Sequence, residues 1–186
     1  MSWLDTLEDI RKKDFAHLSP KKRDDAARDV VNMGSYACAV IAVSPVPFSD
    51  AVLMLPVQSA MVVTVGHVYG RKLTEADAKK LLLELGATAG MGMLVRQGIK
   101  SILPVFGALI TVPAAFAMNW AIGRVAMEYF KNPELSSADL KDLYASAREE
   151  GRALFSRERF ESWRKKTPAQ APPKKKKRPA RKKKAG

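Results

Sequence analysis

The chain has 186 residues, of which 47% are hydrophobic, and a formal net charge of +13 at neutral pH. This length allows one domain of ordinary size with its own core. Twelve of the 32 Lys and Arg lie in residues 164–186, which contain no acid, so residues 1–163 carry 20 basic against 19 acidic side chains. The charge excess is therefore confined to the C-terminal segment, which argues against a basic binding face on the domain.

Cysteine usage and the N-terminus both indicate a cytoplasmic protein. The single cysteine, Cys38, excludes an internal disulfide framework and cannot form a structural zinc site by itself. The first ten positions include three acidic residues and no basic one, whereas a secretory signal needs positive charge followed by an apolar run. We expect no cleaved signal and a reducing compartment.

The first half of the chain predicts three helices. Trp3, Leu7 and Ile10 recur at helical spacing and indicate a short amphipathic helix within residues 1–18. Ser19-Pro20 is typical of a helix start, and that helix should run to about residue 43. The next helix should begin near Asp50 and end at residue 69, closed by a glycine.

A proline elbow separates these two long helices. It consists of Pro45, Pro47, Phe48 and Asp50, and Asp50 is the only charged residue between positions 30 and 70. Each proline removes a backbone donor and disfavours helix at the preceding residue. The run therefore predicts an apolar helical hairpin, with Asp50 as the cap of its second helix.

Small residues and charge define the remaining elements. Thr74-x-x-Asp77 resembles a capping box and opens a third long helix. Four glycines in and after it predict close helix packing: Gly86, Gly90, Gly92 and Gly107. A fourth helix should span residues 108–130, and a charged fifth helix should start at Ser136 or Ser137 and reach about residue 165.

We therefore expect an all-α protein, a compact bundle of about five helices with two apolar helical hairpins and a disordered basic tail. No segment alternates apolar and polar residues as a strand does. The predicted division is an N-terminal amphipathic helix (1–18), an apolar helical domain (19–131), a charged helix (132–166) and a Lys/Pro/Ala-rich tail (167–186).

The order of several short motifs resembles a known bacterial family. The motifs are Pro-Val-Pro-Phe-Ser-Asp at 45–50, Leu-Pro-Val-Gln at 55–58 with Met61, His-Val-Tyr-Gly at 67–70, Lys-Ser-Ile-Leu-Pro-Val-Phe-Gly at 100–107 and Ala-Ile-Gly-Arg at 121–124. Over roughly residues 25–131 the chain resembles the family of the domain of unknown function 697. The resemblance implies a helical, membrane-associated or GTPase-associated module, and with no GTPase domain in this sequence it implies a separate GTPase partner.

The sequence predicts no enzyme, cofactor or metal site. The segment from Gly98 to Ser101 lacks the adjacent Gly-Lys of a phosphate-binding loop, and no dinucleotide fingerprint follows a strand. His17 and His67 lack partners at metal-ligand spacing. No nucleophile and base stand at a meaningful spacing.

Two environments fit the apolar helices. Residues 101–123 carry no charge over 23 positions, long enough to approach a ~30 Å hydrocarbon core. The prolines and the many small residues fit equally well a soluble bundle whose buried helices are apolar on all sides. The first alternative places the protein at or in the inner face of the cell membrane, and the second places it free in the cytoplasm.

The tail has two candidate partners. Its basic residues can neutralise anionic lipid headgroups or contact nucleic-acid phosphates without sequence preference. They are Lys174, Lys175, Lys176, Lys177, Arg178, Arg181, Lys182, Lys183 and Lys184. Our leading hypothesis is a non-enzymatic membrane-associated module that acts with a GTPase in trans; the alternative is a soluble helical scaffold whose tail binds nucleic acid or an acidic protein. Neither predicts an oligomeric state.

Overall fold

The computed structural model describes residues 3–43, 50–88 and 107–166. Within these ranges the chain forms seven helices and no strand, so the all-α prediction is confirmed. The helices are α1 (Trp3–Arg11), α2 (Pro20–Ile41), α3 (Asp50–Val68), α4 (Glu75–Thr88), α5 (Gly107–Lys131), α6 (Ser137–Leu154) and α7 (Arg157–Lys166).

Three helices begin at the capping residues that the sequence predicted. Ser19 directly precedes the proline that opens α2, and its side chain accepts a hydrogen bond from the backbone N–H of Lys22. At α4, the Thr74 hydroxyl accepts from the Asp77 N–H at 3.2 Å while the Asp77 carboxylate accepts from the Thr74 N–H at 2.8 Å. Ser136, rather than its neighbour, forms the same reciprocal pair at α6.

The C-terminus of α3 ends in a tight left-handed turn, as the glycine at position 70 predicted. Gly70 has φ of 75°, which a side chain would disfavour. Its N–H donates to the His67 carbonyl at 2.9 Å, and the Arg71 N–H donates to the Gly66 carbonyl at 2.8 Å. This is the Schellman pattern, and it fixes where Arg71 leaves the helix.

The bundle is organised around α5, which packs against α2, α3 and α6. The C-terminal ends of α3 and α5 meet the start of α2, because Tyr69 and Lys131 both contact Asp24. Helix α2 is therefore antiparallel to both. The apolar faces of α2, α3 and α5 bury one another, and the largest fully buried side chains include Tyr36, Phe116, Leu7, Met61 and Met127.

Glycines lie where helices approach most closely, but at positions that the sequence analysis did not select. A Cβ at each would fall within 3.0 Å of a neighbouring helix or loop. The four are Gly34 against Met61, Gly66 against Leu73, Gly123 against Val31 and Gly151 against the backbone of Ala117. Gly86 and Gly107 belong to α4 and α5, although their surroundings, like Gly90 and Gly92 themselves, lie outside the described residues.

The charged segment predicted as one helix is two helices, α6 and α7. Phe155 takes an extended conformation with ψ of 126°, which ends α6. Its ring packs 5.7 Å from that of Phe116, and the next N–H, of Ser156, donates to the Tyr36 hydroxyl at 3.1 Å. Packing of this partly buried ring against the core favours the break over a continuous helix. The Ser156 hydroxyl then accepts from the Arg159 N–H to start α7.

Candidate functional site

Most of the predicted site residues lie outside the described residues. This holds for the elbow residues Pro45, Pro47 and Phe48 and for all nine basic residues of the tail. Helix α3 is described from Asp50 onward, in agreement with the predicted start, but the surroundings of that side chain are not. These predictions stay predictions.

The motif residues that are described hold the helices together. Gln58 donates from Nε2 to the Asn119 Oδ1 at 2.8 Å, and Asn119 donates to its own helix at the Ala115 carbonyl. The two amides therefore pair across the interface between α3 and α5. Met61 lies against Gly34, and Arg124 forms an ion pair with Glu150 of α6 at 3.5 Å.

A polar cluster joins the ends of α2, α3 and α5. The Tyr69 hydroxyl donates to Asp24 at 2.6 Å, and the Lys131 ammonium donates to the same carboxylate at 3.2 Å. Burial acts to raise the pKa of Asp24, but these two hydrogen bonds act in the opposite direction and leave it below its ordinary value. Burial and the neighbouring carboxylate raise the pKa of Tyr69, so its hydroxyl stays a donor.

This cluster predicts a loss of stability in acid. A carboxyl whose pKa is lower in the folded state stabilises the fold above its unfolded value of about 3.9, and the contribution disappears as the pH falls toward the folded pKa. Asp24→Asn should cost less than about 1 kcal/mol at pH 7, because the pair is partly exposed. Urea unfolding at pH 7 and below pH 4 should show the gap to wild type closing in acid.

The neighbouring exposed residue Asp25 provides the matched control. Asp25→Asn removes the same charge from the same turn of α2 without touching Tyr69 or Lys131. A gap that stayed constant between the two pH values, or one equal to that of the control, would contradict a role for the cluster in acid sensitivity.

A cationic cleft lies between the C-terminal ends of α1 and α3 and the loop before α4. Its volume is about 330 Å³. Val63 and Leu73 supply its apolar surface, and its polar lining is Arg11, His67, Arg71, Lys72 and Thr74. We call this the α1–α3 cleft.

Two contacts fix the walls of the α1–α3 cleft. The His67 ring nitrogen Nε2 is 2.9 Å from the Lys13 carbonyl oxygen, and the ring meets Phe15 edge to face at 5.9 Å. The Schellman turn at the end of α3 places Arg71 and Lys72 on the opposite side. Two segments distant in sequence, the end of α1 and the turn after α3, thus bring three cations to one concave surface.

Sequence reasoning missed the cleft. Arg71 and Lys72 are adjacent and follow the predicted helix stop, which is a usable signal. Arg11 is 60 positions earlier, and nothing in the sequence says that the end of α1 docks beside the end of α3. Only the packing of α1 on α3 reveals the third cation.

The described residues offer little for nucleophilic or metal chemistry. Cys38 is fully buried in α2, and burial raises the pKa of its thiol well above the usual range, which keeps it protonated. No group of three or more His, Cys, Asp or Glu in the described ranges is placed to hold a metal ion.

The amino-acid sequence, compared with known protein families, matches one of them. The family described as "Domain of unknown function (DUF697)" matches residues 9–148. The chain belongs to the DUF697 family. The match extends beyond the resemblance at 25–131 on both sides, in keeping with the docking of α1 and α6 onto the same DUF697 core. No curated protein and no solved structure matches the chain.

The hydropathy of the described helices bears on the choice between lipid and a protein core as their environment. In the three described ranges, none of the helices combines the length and the apolar character needed to cross a bilayer.

Proposed function

We propose that this DUF697 protein is a non-enzymatic helical module that attaches to an anionic membrane surface by charge and acts there with a GTPase in trans. The observation that carries the proposal is the separation of its two kinds of surface. The apolar faces of α2, α3 and α5 are buried against one another, whereas the acid-free segment 164–186 provides twelve basic residues.

Electrostatic attachment follows from these two features. Among the described residues, the exposed large hydrophobic side chains are Leu55, Leu83 and Leu154, so this part of the chain offers little apolar area to acyl chains. Basic residues near an anionic leaflet contribute roughly 1 kcal/mol each, so a few of the tail lysines suffice for reversible attachment. The attraction should weaken steeply as salt rises.

Sedimentation with lipid vesicles tests membrane attachment. The full-length protein should sediment with phosphatidylcholine vesicles that contain phosphatidylglycerol, and not with phosphatidylcholine alone. Deletion of residues 167–186 should abolish sedimentation while the far-ultraviolet circular dichroism keeps its helical signal. Equal sedimentation of both forms would contradict the proposal.

The soluble scaffold is the other outcome of this experiment. If the full-length protein ignores anionic vesicles but binds duplex DNA through the same tail, the protein is a nucleic-acid-binding scaffold instead. No aromatic residue lies among the tail lysines, so such binding would follow phosphate charge rather than base stacking.

The GTPase partner rests on the family resemblance. Co-purification from cells in buffer containing a non-hydrolysable GTP analogue, compared with GDP, should enrich a small GTPase in one of the two nucleotide states. Recovery of no GTPase in either state would remove this part of the proposal and leave membrane attachment untouched.

A further inference from the structure

We infer that the α1–α3 cleft is a binding site for a phosphomonoester group, held by Arg11, Arg71 and Lys72. The inference goes beyond membrane attachment through the tail, because it places a defined anion site on the folded domain. The phosphomonoester can belong to a soluble metabolite or to a lipid headgroup.

The cationic side chains of the cleft have no ion-pair partner among the described residues. Among the described residues, Arg11, Arg71 and Lys72 form no ion pair, whereas Arg28, Arg124 and Lys131 on the central helices all do. Of the 19 acidic residues of the chain, the one whose side chain is not described is Asp50. It starts α3, about 25 Å from the cleft at ~1.5 Å per residue.

Bringing the three cations together has an electrostatic cost. Like charges brought to one concave surface repel one another, and folding gains nothing from them without an anion. No acidic side chain is among the described residues that line the cleft, and the carboxylate of Asp77 is engaged with the backbone N–H and the hydroxyl of Thr74. The three cations of the lining therefore have no acidic side chain within the lining to balance them.

The donors that line the cleft indicate which anion it binds. The capping box of α4 already engages the Thr74 N–H, the Thr74 hydroxyl and the Asp77 N–H, so the charged donors of the lining are the three cationic side chains. Guanidinium groups present forked donors that match phosphate oxygens, and a lysine adds a point charge. Three positive charges suit a phosphomonoester, which carries nearly two negative charges at neutral pH, better than a singly charged diester.

The volume of the α1–α3 cleft suits a small ligand. A volume of about 330 Å³ lies at the lower end of the range for small-molecule sites, enough for a phosphate and a few further atoms. The apolar surface of Val63 and Leu73 is placed to contact the carbon atoms next to the phosphate.

A nuclear magnetic resonance titration of the full-length protein tests the site without any substitution. Inorganic phosphate is added at constant ionic strength while ¹H–¹⁵N spectra are recorded. We expect saturable shifts at the backbone amides of Arg71, Lys72 and Thr74, separate from any response of the tail. Shifts confined to the tail, or shifts at the cleft that never saturate, would overturn the inference.

Paired substitutions give the matched comparison. Arg71→Gln with Lys72→Gln removes two exposed cations of the cleft and should weaken phosphate binding by at least about tenfold. Arg157→Gln with Arg159→Gln removes two exposed, unpaired cations from the start of α7 and should leave it unchanged. Equal affinity in the two double variants would show that bulk charge, and not the cleft, binds phosphate.

Vesicles distinguish the two sources of the phosphomonoester. Phosphatidic acid has a phosphomonoester headgroup and phosphatidylglycerol a diester. If the ligand is a lipid, wild type should prefer phosphatidic acid vesicles, and the cleft variant should lose that preference while it still sediments with phosphatidylglycerol through its tail. If it is a soluble compound, phosphate saturates the cleft amides and both vesicles bind alike. Failure of tail attachment therefore leaves the cleft result interpretable.

Discussion

Phe116→Ala should lower the free energy of unfolding by about 3–5 kcal/mol, the largest effect that we expect from a single substitution in this protein. The side chain is fully buried in α5, and its ring lies 4.5 Å from that of Tyr36 on α2. It also meets Phe155 from the connection between α6 and α7 at 5.7 Å. One ring thus joins three parts of the chain, and its removal leaves a cavity that none of them can fill alone.

Thermal unfolding followed by circular dichroism measures this loss. A change of 1 kcal/mol shifts the midpoint of a domain of this size by ~2–4 °C, so the midpoint should fall by roughly 6–20 °C. Leu83→Ala is the control, because Leu83 on α4 is 72% exposed and its truncation should change the free energy of unfolding by less than about 0.5 kcal/mol. Similar midpoints for the two variants would contradict the central role of Phe116.

Gly151→Leu should cost about 1–3 kcal/mol, because it introduces a side chain where α6 touches the backbone of α5. A Cβ at this position would lie 2.9 Å from the Ala117 Cα and 3.0 Å from the Trp120 Cβ. A backbone atom cannot turn aside as a side chain can, so the two helices must separate. Leucine has the higher helix propensity, so any loss measures packing alone.

Urea unfolding and tryptophan fluorescence report this separation. Ala153→Leu adds a leucine two residues along the same helix at an exposed position and should be nearly neutral. Gly151→Leu should also change the emission of Trp120, whose surroundings the new side chain enters. A Gly151 variant as stable as the Ala153 variant, with unchanged emission, would show that the close approach of α5 and α6 is not required.

The local elements were predictable because their determinants are local. A serine before a proline, Thr74 three residues before Asp77, and a glycine after a helical run each act through the backbone within a few positions, and all three structures follow them. An amide in an apolar helix needs a partner, and Gln58 and Asn119 provide one for each other.

The predicted helix packing shows where such inference stops. A cluster of glycines such as Gly86, Gly90 and Gly92 indicates close approach somewhere, but not which helix approaches. Gly34, Gly123 and Gly151 are isolated in sequence, and each is significant only because a residue from another helix lies opposite. The break at Phe155 has the same origin. Contacts of its ring with Tyr36 and Phe116 stabilise an extended conformation that helix propensity alone does not predict.

The sequence by itself determined the class of the protein, the helix starts at Ser19, Thr74 and Ser136, the helix stop at Gly70, the near-neutral domain with its basic tail, and the family pattern. These follow from local backbone chemistry and from composition. The tertiary structure decided which glycines contact another helix, where the charged segment breaks, and that Arg11 joins Arg71 and Lys72 at one cleft. Such juxtapositions depend on contacts between residues far apart in the chain, whose energies come from packing and mutual burial and therefore leave no local signal.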